Sequence, residues 1–89
     1  MEKVSFDFSQ IPDLPAFYRD FGRQFALSEP RDSNLDELWQ TVTRRLPLPV
    51  EIEFLHLNGA KKRRFGALIL LFDEAEEELE GRLHFNVRG

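Results

Sequence analysis

The sequence predicts an α/β domain in two layers: a three-stranded parallel sheet with three to four helices packed mainly on one face. Three observations lead there. Three short segments alternate apolar and polar residues, the signature of half-buried strands. The stretches between them carry apolar residues at helical spacing. Strands separated by helices pair in parallel through right-handed crossovers. Parallel strands covered on both faces read as nearly continuous apolar runs. These strands alternate instead, so one sheet face is expected to stay partly solvated.

Val4, Phe6 and Phe8 alternate with Ser5 and Asp7 and give the first strand. Leu14, Phe17, Tyr18, Phe21 and Phe25 then fall on one helical stripe. Asp13 caps that helix, and Pro15 fits its first turn, where the missing N–H has no intrahelical partner. Leu35, Leu38, Trp39, Val42 and Leu46 repeat the spacing. Ser33 with Asp36 resembles a capping box, with Asp in place of Glu or Gln. Pro47 and Pro49 stop this helix and launch the second strand, in which Val50, Ile52 and Phe54 alternate with Glu51 and Glu53. Leu68, Leu71, Phe72, Ala75 and Leu79 form a third stripe. Ile69 and Leu70 widen it, so this helix is expected to be the most deeply buried, with Gly81 at its end. Residues 58–65 fit a loop, a short separate helix, or the first turns of the long one. Leu83, Phe85 and Val87 alternate with His84, Asn86 and Arg88 in the closing strand.

At 89 residues, with no linker, repeat or low-complexity segment, a single domain over residues 1–89 is expected. Nine Phe and a hydrophobic share of 42% supply a core and argue against disorder. The absence of Cys excludes a disulfide framework and thiol chemistry, and suits a reducing compartment. Met1, Glu2 and Lys3 lead straight into strand alternation, unlike a signal or transit peptide. The longest apolar run, 67–72, is far shorter than a membrane span. The expectation is a cytoplasmic monomer that uses no cofactor.

Catalytic signals are weak. His84 has the polar parity of its strand, and His56 sits where the alternation after Phe54 breaks. Neither has a partner at metal-ligand spacing. The glycines form no phosphate-cradling loop. Residues 73–80 hold six carboxylates and no base, but exposed helix carboxylates have little reason to shift their pKa. An enzyme is not expected. The net charge of −4 is unevenly spread: residues 29–40 carry four carboxylates against one Arg, whereas Lys61, Lys62, Arg63 and Arg64 are consecutive bases. The basic run, with Phe65 beside it for stacking, allows RNA binding as a minor alternative. The acidic surface attracts basic partners instead.

The most informative run is Asn34-Leu35-Asp36-Glu37-Leu38-Trp39, an acidic helix entrance. Asp36 and Glu37 suit the positive end of a helix dipole whatever the function. Trp39 fits a core stripe and equally a binding hot spot. N-L-D-x-L-W, the F-x-E-A stretch at Phe72, Glu74 and Ala75, and the order of elements together resemble the barstar family, intracellular inhibitors of barnase-type ribonucleases. The resemblance implies a protein that plugs a nuclease cleft with the loop before its second helix and that helix's exposed face. Carboxylates there stand in for substrate phosphates. It places the family's interface Asn and Asp on Asn34 and Asp36, its motif Trp on Trp39, and an outlying contact carboxylate on Glu74. The chain departs from the family pattern where Gln40 replaces a central Asp and Pro30 and Arg31 replace two Tyr. Arg44 and Arg45 replace Gly and Trp, and Pro47 replaces another acidic position. Losing the central carboxylate removes a charge-assisted contact, and two Arg repel a basic partner. A different partner on the same fold, such as another nuclease or a less basic protein, is the alternative reading. No direct nucleic-acid or membrane contact is implied. The expected partner face is Asn34, Asp36, Trp39, Gln40 and Glu74, flanked by Arg31, Arg44 and Arg45.

Overall fold

The computed structural model describes residues 2–25 and 34–89. Three strands, β1 (Glu2–Asp7), β2 (Val50–Leu55) and β3 (Leu83–Val87), form one all-parallel sheet in the order β1-β2-β3. Val4 lies opposite Ile52, which lies opposite Phe85. Helices α1 (Leu14–Gln24) and α2 (Leu35–Arg44) lie between β1 and β2. Helices α3 (Gly59–Arg64) and α4 (Gly66–Glu78) lie between β2 and β3. The predicted α/β class, parallel pairing and helix number all hold.

The core is aromatic. Phe54, on the central strand, has its ring centroid 4.8 Å from Phe8, 4.9 Å from Phe85, 5.3 Å from Phe72 and 5.7 Å from Phe17. With Phe6 of β1 at 5.9 Å, all three strands, α1 and α4 meet on one side chain. Pairs at these separations add roughly 0.5–1.5 kcal/mol beyond their buried area. Leu38, Val42 and Leu46 bring α2 into the same core, and α2 packs against α4.

Residues 58–65 resolve as a short separate helix. Asn58 caps α3, accepting the Lys61 N–H at 3.4 Å. The backbone leaves helical geometry at Phe65 (φ −103°, ψ 21°). That residue is buried, its ring 4.9 Å from that of Phe8. Drawing Phe65 into the core explains the break before α4. It also removes the ring from the surface, so Phe65 is not available to stack on a base.

Four expectations need correction. The N-cap of α2 is Asn34, not Ser33, which lies outside the described residues. Leu70 does not widen the buried stripe of α4, since it is 57% exposed while Leu68, Leu71, Phe72 and Ala75 are buried. The residue three before Phe72's neighbour Asp73 lies on the outer side of the helix, where packing ends. The left-handed turn after α4 begins at Glu80 (φ 52°) and continues through Gly81 (φ 85°). Glu80 donates to the Glu77 carbonyl and Gly81 to that of Glu76, a Schellman pattern with a non-glycine at its first left-handed position. Finally, Glu53 on the uncovered sheet face is buried rather than solvated. It accepts from Arg88 Nε at 2.6 Å and Ser5 Oγ at 3.3 Å, with Lys3 Nζ at 3.4 Å. Burial alone would raise its pKa. The Arg88 hydrogen bond and the Lys3 and Arg88 charges outweigh burial and hold it below the ordinary Glu value.

Candidate functional site

The entrance of α2 is built by its own sequence. Asn34 is extended (φ −154°), and its Oδ1 accepts the Glu37 N–H at 2.8 Å. Its Nδ2 donates to Glu37 Oε1 at 3.0 Å. One amide therefore satisfies an orphan donor of the first turn and orients a carboxylate there. Leu38, Thr41 and Val42 turn inward. Asp36, Gln40 and Arg44 consequently share one exposed row, spaced i, i+4 and i+8. Arg45, at the C-cap, is exposed beside that row's end. The side chains of Asp36, Gln40, Arg44 and Arg45 show no hydrogen bond or ion pair to a described residue. Trp39 flanks the row and is half-buried against the core, and its carbonyl accepts from Thr43 Oγ1 at 2.8 Å.

Glu74 is exposed on α4, the helix packed against α2. One element thus presents six of the expected residues, and its neighbour presents Glu74. Arg31 and Pro30 lie outside the described residues.

A cleft of about 420 Å³ opens where the first turns of α1 and α2 meet, lined by Leu14, Pro15, Tyr18, Asn34, Leu35 and Asp36. Leu14, Pro15 and Tyr18 were absent from the sequence-derived face, because a helical stripe looks the same whether it ends in core or in a cleft.

The basic run behaves differently from the acidic entrance. Lys61 Nζ donates to the Phe8 carbonyl at 2.8 Å, and Arg64 donates to that of Pro12 at 3.0 Å. These two bases tie α3 to the segment after β1, leaving Lys62 and Arg63 directed to solvent.

His56 is the extra residue of a bulge. Phe54 accepts from the Arg88 N–H and Leu57 donates back to the Arg88 carbonyl, so ladder pairing skips His56, which adopts φ 62°. Its Nε2 lies 3.9 Å from Asp7 Oδ1. Ser9 donates to that same oxygen from its hydroxyl (2.6 Å) and N–H (2.9 Å). Those two bonds, aided by the nearby His56 and Lys61 charges, lower the Asp7 pKa. Ser9 donates to the carboxylate and not to the imidazole, so no activated nucleophile results. Among the described residues, no cluster of three His, Asp or Glu could hold a metal ion. No described helix is long and apolar enough to cross a membrane.

The family model for Barstar (barnase inhibitor) matches residues 1–87. The chain belongs to the barstar family. Members of this family are inhibitors that bind ribonucleases. The Gln40 and Arg44 side chains are exposed and unpaired among the described residues.

Proposed function

We propose that this barstar-family protein inhibits a ribonuclease by occlusion, laying the acidic entrance and outer row of α2 over the enzyme's basic cleft. The observation that carries this reading is Asp36 in the first turn of α2, exposed and unpaired among the described residues, within a chain matched to the family over residues 1–87. A carboxylate with no internal partner can enter a cationic cleft without first breaking a contact. Charge of this sign also steers encounter with a basic enzyme. Trp39 supplies a rigid apolar flank, Gln40 a neutral hydrogen-bonding group at the centre, and Glu74 an outlying carboxylate. The barnase–barstar pair is itself the standard example of such charge steering.

Calorimetric titration into a barnase-type ribonuclease, at low and moderate salt, tests the reading alongside RNA cleavage in the same samples. One-to-one binding that abolishes cleavage is the expected result. Absence of binding at both salt concentrations removes barnase-type enzymes as the target.

A second reading keeps the face and changes the partner. It is favoured by the run of the row from acidic Asp36 through neutral Gln40 to basic Arg44, with Arg45 adjoining. A partner fitting this row carries bases near one end and a carboxylate near the other, a distance of about 12 Å along the helix.

A further inference from the structure

A three-stranded sheet is two-thirds edge. Among the described residues, both β1 and β3 pair on one side only, and each leaves backbone groups facing away from β2. In a parallel ladder, alternate residues turn their N–H and C=O toward opposite sides. Phe8 donates to the Leu55 carbonyl at 3.0 Å, so the even-numbered residues of β1 face β2 and Lys3, Ser5 and Asp7 face outward. On the far side, Arg88 donates to the Phe54 carbonyl at 2.7 Å, which leaves Leu83, Phe85 and Val87 facing outward. Such rows are templates for another strand.

The middle outward residue of each edge is already occupied, in both cases by a helix side chain. Gln24, the last residue of α1, donates from Nε2 to the Ser5 carbonyl at 2.9 Å. Glu76 of α4 accepts the Phe85 N–H at 3.0 Å. The Asp7 carbonyl is taken as well, by the Gln10 N–H at 3.0 Å. The two side chains are chemically matched to their sites: an amide donor meets the carbonyl and a carboxylate meets the N–H. Neither contact is needed to complete a helix or to fill the core.

We propose that Gln24 and Glu76 are edge guards that keep the sheet from pairing with that of a second copy of this chain. A strand approaching β1 finds its central acceptor used and must displace Gln24. A strand approaching β3 finds the central donor used, and its own carbonyl faces the Glu76 carboxylate. Symmetry then distinguishes opening one edge from opening both. Opening either edge alone gives each copy one adhesive edge, which closes as a two-fold antiparallel dimer. Opening both edges lets β3 of one copy meet β1 of the next, a head-to-tail contact that does not close.

Sedimentation velocity over a concentration series tests this on the full chain, using Gln24→Met, Glu76→Met, their double variant and Glu76→Gln, whose amide oxygen can still accept from Phe85. The parent and Glu76→Gln are expected to remain monomeric, Gln24→Met and Glu76→Met each to dimerise, and the double variant to form species that grow beyond dimers with concentration. Val42→Ala, compared at the temperature giving the same unfolded fraction, controls for association through unfolded chains. The proposal is overturned if the folded double variant stays monomeric, or if it associates no more than Val42→Ala at matched unfolded fraction. A parent that itself associates through these edges would overturn it equally.

Discussion

Asn34 and Asp36 sit two residues apart and do different work. Asn34 is committed to its own helix through both ends of its amide, whereas Asp36 has no described partner. Replacing Asn34 by Ala should cost about 1 kcal/mol, seen as a melting-temperature drop of roughly 4–8 °C. Asp36→Asn should lower that temperature by less, through loss of its helix-dipole interaction alone, while weakening nuclease binding, as calorimetry on both variants would show. Glu53 supplies a second residue-level test. Its pKa lies below the ordinary Glu value in the folded protein, so its contribution is present above the unfolded pKa, about 4.3. That contribution is lost as pH falls through the lower folded value. Glu53→Gln should therefore be less stable than the parent at pH 7, and the gap should narrow as pH falls. Denaturant titrations at several pH values would reveal it. Asp7, shifted in the same direction, leaves some acid sensitivity in the variant.

Each strand and both long amphipathic helices were legible because period-2 and period-3.6 patterns report directly which side chains face the core. Phe6, Phe17, Phe54 and Leu38 are all buried as their spacing required. Leu70 was misread because six consecutive apolar residues erase the period, and only packing distinguishes Leu70 from Leu71. Glu53 was misread because parity assigns a face but not the length of the side chains covering it, here Lys3 and Arg88. The α2 row was legible from its spacing, whereas the cleft beside it needed the mutual placement of α1 and α2. The α4 reading has a direct check. Leu71→Ala should cost about 2–5 kcal/mol, while Leu70→Lys should stay within roughly 0.5 kcal/mol of the parent. Equal losses from the two substitutions would mean that the outer side of α4 is covered in solution.

At the scale of the molecule, the proposed inhibition turns on how charge is laid over the α2 face. The chain is acidic overall, and Asp36 and Glu74 extend that sign onto the α2 and α4 surfaces. Arg44 and Arg45 reverse it at the far end of α2. All these groups are exposed, so their influence on encounter is long-ranged at low salt and screened at physiological salt. The Debye length shrinks from about 30 Å at 0.01 M to about 8 Å at 0.15 M. Against a uniformly basic nuclease, Arg44→Glu with Arg45→Glu should speed association, and the gain should fade with added salt while dissociation changes little. Against a partner that offers a carboxylate to these arginines, the same reversal should slow association and also hasten dissociation. Stopped-flow association and dissociation rates for parent and double variant, taken at both ionic strengths with a barnase-type ribonuclease, separate the two cases. Faster association would mean that the arginines are a departure the inhibitor tolerates. Slower association with faster release would mean that they are contacts, and that the complementary surface is basic at one end and acidic at the other.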